Sequence, residues 1–185
     1  AYNGSDSVIT VPETVTEIGA GAFMNNTTLT AVTLPEGLTK ISASAFAGCT
    51  GLASIEIPNG VTEIGAEAFA GCSSLTKVEI PDGVTEIGAG AFENCTSLAS
   101  ANIPTGVSYI AARTFAGCTS LTAITIPDNI TSIDSEAFAG CSSLTDVSLP
   151  DDLGYSVSDD AFDYDTVIFT ISDLTYDENG AINYT

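Results

Sequence analysis

The chain has 185 residues, 44% of them hydrophobic, and it carries 24 Asp and Glu residues against three Lys and Arg residues. The resulting net charge of −21 repels a phosphate backbone and an anionic membrane surface, so nucleic acid is a very poor candidate for a partner. No apolar run approaches the roughly 18 residues that span a bilayer, and the sequence therefore predicts no transmembrane segment. High net charge also favours a soluble monomer.

A period of 23 residues organises nearly the whole chain. Proline recurs at this interval seven times, cysteine five times and phenylalanine six times, and Phe162 then follows one residue late. Such a period predicts a solenoid, because no repeat can bury its own apolar face and each must stack on the next. The columns are Pro12, Pro35, Pro58, Pro81, Pro104, Pro127 and Pro150; Phe23, Phe46, Phe69, Phe92, Phe115 and Phe138; and Cys49, Cys72, Cys95, Cys118 and Cys141.

The first element of each repeat is a predicted strand, as the segment from Leu75 onward illustrates. Val78 and Ile80 alternate with Lys77 and Glu79, which is the period of two that a strand with one buried face shows. The proline that follows lacks a backbone donor and ends the strand.

A turn and a second extended piece come next. Pro81-Asp82-Gly83 predicts a turn in which Gly83 supplies a positive φ. Asn129 occupies the same column in a later repeat, and Asn is the next residue to tolerate that conformation. Val84 and Ile87 are predicted to point inward on the second extended piece. The phenylalanine column is predicted to fill the interior, because its period is regular and a small residue usually precedes it.

The two ends depart from the repeat, as the caps of a solenoid do. Asp6 stands where the first repeat should have a leucine. Near the other end, Glu178-Asn179-Gly180-Ala181 carries an Asn-Gly hairpin signal between two short strand-like segments. We therefore expect a solenoid with an N-terminal cap over residues 1–150, and a last irregular repeat with a C-terminal β-hairpin cap over residues 151–185.

The strand and the motifs after it resemble those of one known family. Leu75-x-x-Val78-x-Ile80 fits the L-x-x-L-x-L strand of a leucine-rich repeat. The Ile87-Gly88 pair and the Ala68-Phe69-Ala70-Gly71-Cys72 run are more specific. Together with the proline they resemble the BspA-type leucine-rich repeat of bacterial surface antigens, over about residues 8 to 162. The departures from that pattern are Asn26, Ala101, Arg113 and Thr114.

The resemblance implies a β-rich solenoid, a leucine-rich-repeat-like right-handed coil of about seven 23-residue repeats with a cap at each end. It also implies secretion or display on the cell surface. The polar start, Ala1 to Ser5, is no signal peptide, so we expect the signal peptide to be absent from this sequence. Members of the family are linked to adhesion, which makes a host or bacterial surface protein the expected partner.

The five cysteines admit a metal or redox site or a purely structural ladder. Their odd number excludes complete internal pairing, and the sequence has no His and no C-x-x-C pair, which leaves a zinc site with little support. Stacked thiols with parallel Cβ vectors do not favour disulfides. We therefore predict five free, buried thiols and no cofactor.

One acidic column admits a catalytic interpretation. Glu17, Glu63 and Glu86 share a position in successive repeats, with Lys40 between the first two. A carboxylate pair there is conceivable in a hydrolase. Since a regular ribbon offers no cleft, we favour a solvated face instead.

A second acidic cluster admits a calcium site. Asp159, Asp160, Asp163 and Asp165 form the densest group of oxygen ligands in the chain. The run lacks the glycine and the terminal glutamate of an EF-hand loop, so a solvated acidic loop is the favoured interpretation.

The outward positions of the predicted strands form the candidate binding face, because solenoids bind ligands on such surfaces. These positions carry no aromatic anchor, whereas Tyr109 beside Arg113 offers an exposed aromatic ring. The leading hypothesis is a non-catalytic protein-binding or adhesion module of a surface protein. The alternatives are a structural spacer within a larger surface protein and, third, a carboxylate-based hydrolase. The candidate residues are Thr33, Glu56, Lys77, Glu79, Asn102, Tyr109, Arg113, Thr125 and Asp146.

Overall fold

The computed structural model describes residues 2, 4, 6–150, 156–163, 166–170, 174–176 and 182–184. Over these residues the chain is a parallel β-solenoid without helices, which confirms the predicted fold class. About five turns are regular, against the seven repeats predicted. The number is smaller because the first and the last repeats depart from the 23-residue pattern.

Each turn presents two rows of residues on two different surfaces. The rows before the prolines form what we call the front face, and they are 8–10, 31–33, 54–57, 77–80, 100–103, 123–126 and 146–149. The strands that follow the prolines form the rear ribbon. The strands are β1 (Val8–Thr10), β2 (Glu17–Ile18), β3 (Ala31–Thr33), β4 (Lys40–Ile41), β5 (Glu63–Ile64), β6 (Lys77–Val78), β7 (Glu86–Ile87), β8 (Ser100–Ala101), β9 (Tyr109–Ile110), β10 (Ser132–Ile133), β11 (Asp146–Leu149), β12 (Val167–Thr170), β13 (Leu174–Tyr176) and β14 (Ile182–Tyr184).

The rear ribbon is the better paired of the two surfaces. Its strands pair in parallel in the order β2-β4-β5-β7, and β9 pairs with β10 further along. The register aligns Ile41, Ile64 and Ile87, whose side chains all point into the core. Threonine hydroxyls reinforce the stack, since Thr39 and Thr62 each donate to the carbonyl of the residue 23 positions earlier, at 3.0 and 3.3 Å.

The front face is paired only in parts. Strand β1 pairs with β3, β6 pairs with β8, and β11 pairs with β12, all in parallel. A single bridge joins Ser100 to Ala123. The row 54–57, which lies between β3 and β6, contains no strand.

A phenylalanine ladder fills the interior, as predicted. Seven rings from Phe23 to Phe162 stack nearly parallel, and the centroids of successive rings lie 4.9 to 5.5 Å apart. This distance is close to the 4.7–4.9 Å between strands, because each ring follows its own backbone row. Tyr2 covers the first ring at 5.6 Å, and its N–H donates to the carbonyl of Ala22.

A cysteine ladder runs beside the rings, and the prediction of five free, buried thiols is confirmed. Each thiol donates to the carbonyl of the phenylalanine 26 residues earlier, for example Cys95 Sγ to Phe69 O at 3.2 Å. Burial raises the pKa of Cys49 to about 11 and that of Cys72 to about 12. A thiol in this ladder therefore satisfies a buried carbonyl and stays protonated at neutral pH.

The predicted role of Gly83 is wrong. Gly83 is not among the residues with positive φ, and its column is small because the preceding turn passes close by. A Cβ on Gly106, in the same column, would lie 2.3 Å from the carbonyl oxygen of Val84. The explanation given for Asn129 is wrong for the same reason. Its side-chain amide donates to that neighbouring backbone, to the carbonyl of Thr105 at 3.0 Å and to that of Val107.

Positive φ angles occur instead at two other columns in each repeat. One directly precedes the cysteine, as at Gly71 and Asn94, and the other lies two residues before the phenylalanine, as at Glu67 and Arg113. Left-handed backbone is costly for residues other than glycine, so the surrounding ladder of hydrogen bonds must hold these turns in place.

The last turn has one residue more than the repeat, and a side chain makes the contact that a backbone carbonyl makes in earlier turns. Gly117 N–H donates to the carbonyl of Ala139 in the following turn at 2.7 Å. The equivalent N–H, of Gly140, donates instead to the Asp163 carboxylate at 2.7 Å. Beyond it, β13 and β14 pair antiparallel, while the Asn179-Gly180 turn predicted between them lies outside the described residues. The proposed boundary at residue 150 stays a prediction.

Candidate binding face

The structure separates the predicted face residues into two groups. Tyr109 lies in β9 on the rear ribbon with 41% of its surface exposed, and Arg113 follows it in a left-handed turn. Asp146 lies in β11, and its side chain is outside the described part of the structure. The residues on the front face are Thr33, Glu56, Lys77, Glu79, Asn102 and Thr125.

Depressions open between the rows of the front face. One of about 430 Å³ lies between rows 31–33 and 54–57 and includes Glu36. A second, of about 530 Å³, is lined by Lys77, Glu79 and Ala101 among others. Both volumes fall in the range of sites that hold small ligands.

Ala101 explains part of the larger depression. The same column holds Val78 in the preceding repeat and Ile124 in the following one, so Ala101 removes side-chain volume from the edge of the core. The sequence identified Ala101 as a departure from the family pattern but gave it no role. Its position beside Lys77 and Glu79 makes it a residue that sequence reasoning missed.

Asn102 bridges two rows of the front face through its side chain. Its Oδ1 accepts from the N–H of Ile80 at 2.7 Å, and its Nδ2 donates to the carbonyl of Ile80 at 2.8 Å. Pro104, which ends the row of Asn102, has no N–H to offer the neighbouring row. The amide of Asn102 therefore pairs with Ile80 as a peptide group of an adjacent strand would.

The charge of the front face is mostly negative. Glu36, Glu56, Glu79 and Asp82 are exposed along it, and Lys77 contacts Glu79 at 2.6 Å. This hydrogen bond lowers the pKa of Glu79 from its usual value. Since the one lysine is already paired within its own row, the face as a whole is suited to a partner with positive charge.

The acidic column on the rear ribbon is arranged as predicted. The register places Glu17, Lys40, Glu63 and Glu86 side by side in that order. Lys40 Nζ lies 2.7 Å from Glu63 Oε1, and this hydrogen bond raises the pKa of Lys40. A general acid needs apolar surroundings that keep its carboxyl protonated, whereas Glu63 has a cation beside it.

Arg113 is held by carboxylates from the turns on both sides. Its Nη2 lies 2.6 Å from Glu93 Oε1, and its Nε lies 3.2 Å from Glu136 Oε2. These pairs hold the guanidinium against its own solenoid, so it is less available to a partner than the sequence suggested. Tyr109 is the exposed aromatic of this region.

The residues considered for calcium are partly used in other contacts. Asp160 accepts from Ser135 at 2.8 Å and from Ser158 at 2.7 Å, and these bonds lower its pKa. Asp163 caps the N–H of Gly140 as described above, and Asp165 lies outside the described residues. Within the described ranges, no group of three or more acidic, His or Cys side chains is arranged to hold a metal ion. Calcium binding by Asp159 and its neighbours stays the less favoured of the two interpretations.

Comparison with solved structures finds the same architecture in bacterial proteins. A leucine-rich repeat protein from Bacteroides ovatus ATCC 8483 is 37% identical over 80% of this chain, with a TM-score of 0.77. The T. pallidum Leucine Rich Repeat protein is 30% identical over 85% of this chain and 87% of its own, with a TM-score of 0.71. A leucine rich cell surface protein from Faecalibacterium prausnitzii A2-165 is 28% identical over 89% of this chain and 59% of its own, with a TM-score of 0.61.

The chain spans 38% of the length of the Bacteroides ovatus protein. No curated protein shows significant sequence similarity to it. Among the described residues no helix is long and apolar enough to cross a bilayer. The profile of the BspA type Leucine rich repeat region matches six copies, over residues 2–118 and 41–168. With this coverage, the chain belongs to the BspA-type leucine-rich repeat family.

Proposed function

We propose that the chain is a non-catalytic protein-binding module displayed on a bacterial surface, and that its front face holds the partner. The observation that carries the proposal is the set of depressions on this face, which are lined by outward residues that the repeat does not dictate. The name of the Faecalibacterium prausnitzii relative, a cell surface protein, supports the location.

The chemistry of the conspicuous residues supports a role without catalysis. The thiols are buried and protonated at neutral pH, so they are poor nucleophiles and poor metal ligands. The carboxylates of the rear ribbon lie on a regular surface, with Lys40 paired to Glu63. Both arrangements maintain the solenoid.

A structural spacer is the second candidate, and one observation favours it. Large apolar side chains are exposed at only three described positions, which are Val8 in β1, Met24 beside the phenylalanine column of the same repeat, and Tyr109 on the rear ribbon of a later repeat. A spacer requires a uniformly polar surface, whereas protein-binding surfaces usually concentrate aromatic and apolar anchors. Tests of binding therefore decide between the two.

Binding to intact cells tests the proposal. The fluorescently labelled chain is titrated onto bacterial cells and onto epithelial cells, each with and without prior trypsin treatment. We expect saturable binding that trypsin removes, since the proposed partner is a surface protein. A variant with Thr33→Arg and Thr125→Arg, both exposed on the front face, should lose this binding.

A matched variant controls for added charge. Thr16→Arg with Ser108→Arg places the same two charges on the exposed side of the rear ribbon, and it should bind cells as the unmodified chain does. Loss of binding in both variants to the same extent would argue against the front face. Absence of saturable binding to every cell type would favour the spacer.

A further inference from the structure

The depression of about 530 Å³ on the front face lies where β6 and β8 run side by side. On the first of these rows the outward side chains, Lys77 and Glu79, are long, whereas Ser100 on the second row is short. Asn102, the other outward residue of the second row, is held against Ile80 by the two hydrogen bonds described above. The depression therefore forms because one row projects and the next does not, and its volume suits a small ligand.

The floor of the depression is apolar and partly open to solvent. Pro81 and Ala101 are each partly exposed there, whereas Val78 beside them is buried. Ala101 shares its column with Val78 and Ile124 of the adjacent repeats, so less side chain covers the floor at this point. A ligand that fits the depression has an apolar side toward Pro81 and Ala101 and polar groups toward the rim.

The rim combines donors and acceptors of hydrogen bonds. The Lys77 ammonium group donates to Glu79 and has further N–H groups free, while the hydroxyl of Ser100 can both donate and accept. Asp82 supplies carboxylate oxygens, and the exposed amide of Asn59 supplies both kinds of group. In the described part of the chain the side chains of Asn59, Asp82 and Ser100 make no hydrogen bond or ion pair, so they are available to a ligand.

This mixture of groups matches a neutral sugar better than it matches an ion or a basic side chain. A sugar hydroxyl donates and accepts at the same time, and the C–H groups on one side of a pyranose ring are apolar. A basic side chain would use only the acceptors of the rim, and an anion only the donors. Because Lys77 offsets Glu79 but not Asp82, the rim keeps a negative charge that disfavours an acidic sugar.

We propose that this depression binds a neutral sugar unit of a surface glycan. The sugar ring packs on Pro81 and Ala101, while Asn59, Asp82 and Ser100 exchange hydrogen bonds with its hydroxyls. Glycan binding goes beyond the protein binding proposed above and does not depend on it.

Nuclear magnetic resonance of the ¹⁵N-labelled chain tests the site. The probes are the neutral disaccharides maltose, cellobiose, lactose and N,N′-diacetylchitobiose, each titrated to high millimolar concentration. We expect saturable amide shifts centred on Asp82 and on Ser100 to Asn102 with at least one of them. The competing occupant is a basic side chain of a protein, so a blocked tripeptide with a central arginine is titrated in parallel. Shifts of these amides by the peptide but by no disaccharide would overturn the sugar site.

Two pairs of variants locate the binding. Asp82→Ala removes an acceptor from the rim and should weaken binding at least about tenfold, as expected for a hydrogen bond to a charged group. Asp128→Ala removes the same carboxylate from the same column two repeats further on, and it should leave binding unchanged. Ser100→Leu fills the depression and should abolish binding, whereas Ser54→Leu adds the same side chain at an exposed position of the same column and should not.

The outcomes separate the sugar site from the proposed function. Equal binding of the sugar by all four variants, or amide shifts centred on another surface, would overturn the sugar site. If the chain binds cells in a trypsin-sensitive way while no disaccharide shifts these amides, the sugar site is rejected and the proposed function stands. If a disaccharide shifts them but cells are not bound, the sugar site stands and the proposed function is rejected.

Discussion

The front face and the rear ribbon are built from the same repeats, yet only one of them is continuously paired over the first four turns. On the rear ribbon, β2, β4, β5 and β7 follow one another without a gap, and threonine hydroxyls add a second set of contacts between turns. On the front face, row 54–57 interrupts the pairing between β3 and β6. The front face need not be paired in every turn, because the rear ribbon and the backbone hydrogen bonds near the phenylalanine column also link successive turns.

The contacts of the lysine also differ between the two surfaces. On the rear ribbon Lys40 lies between Glu17 and Glu63 and bonds across the rows. On the front face Lys77 bonds within its own row, so it contributes nothing to pairing between rows. Lys40 therefore links neighbouring turns of the rear ribbon, whereas Lys77 makes its contact within a single turn of the front face.

The largest effect on the free energy of unfolding is expected from a core residue that lies between the two surfaces. Phe92 is fully buried, and stacks on Phe69 and Phe115. Phe92→Ala should lower the free energy of unfolding by about 3–5 kcal/mol, because it removes a ring and leaves a cavity between two others. Urea denaturation followed by circular dichroism measures the loss. An unchanged midpoint would show that the ladder does not support the fold.

The next effect distinguishes the two surfaces directly. Ile64 lies in the continuous rear ribbon and Ile55 in the unpaired front row, and both are buried. Each substitution by alanine should cost about 2–5 kcal/mol, with Ile64→Ala at the upper end, because a paired row cannot relax into the cavity. Denaturation of the two variants side by side gives the comparison. Equal losses would mean that the missing pairing does not loosen the front row.

A smaller effect concerns the thiols in the interior. Burial raises the pKa of Cys72 on folding from its ordinary value of 9.0 to about 12. Above pH 9 the unfolded chain therefore loses a proton that the folded chain keeps, so stability is complete below pH 9 and falls as the pH rises toward 12.

We expect this thiol to contribute a loss on the order of 2 kcal/mol by about pH 11. Urea denaturation at several pH values tests it, with Cys72→Ala as the control, since that variant should lose less stability between pH 9 and 11. Titration with a thiol reagent should find no reactive thiol in the native chain and five in denaturant. Rapid labelling of the native chain would contradict the buried ladder.

The smallest effect compares the two lysines. Lys40→Met leaves Glu17, Glu63 and Glu86 without a cation in their column, whereas Lys77→Met removes a pair within one row. Lys40→Met should therefore lower the melting temperature more, and the difference should disappear near 1 M salt, where screening acts within about 3 Å. Thermal melts at low and high salt check this, and a salt-independent difference would point to lost packing instead.

The interior could be predicted from the sequence because each column has one physical role. Phe92 and Cys95 recur at a fixed period, and residues that stack on their own copies must follow the strand spacing. The role of Gly83 was wrong, because glycine is selected both by positive φ and by close approach of another chain segment, and the sequence does not distinguish them.

The front face was only partly predictable. Its outward residues followed from the period of two, but the interruption at row 54–57 did not, because Ile55 and Ile57 alternate with polar residues just as their paired counterparts do. Pairing depends on the distance between backbones in neighbouring turns, which a pattern within one repeat does not contain. The adjacent Glu56 and Glu79 do not explain the interruption, because Glu63 and Glu86 are adjacent in the same way and their strands pair.

The depth of the cysteine ladder has a practical consequence for the chain outside a reducing environment. Oxidation and disulfide exchange proceed through the thiolate, and burial keeps Cys49 and Cys72 protonated up to a pH of about 11 and 12. Because all five thiols are buried, folded molecules should not cross-link in air despite their odd number of cysteines. Covalent dimers in a preparation would therefore report unfolding, and the thiols would serve as a built-in indicator of damaged material.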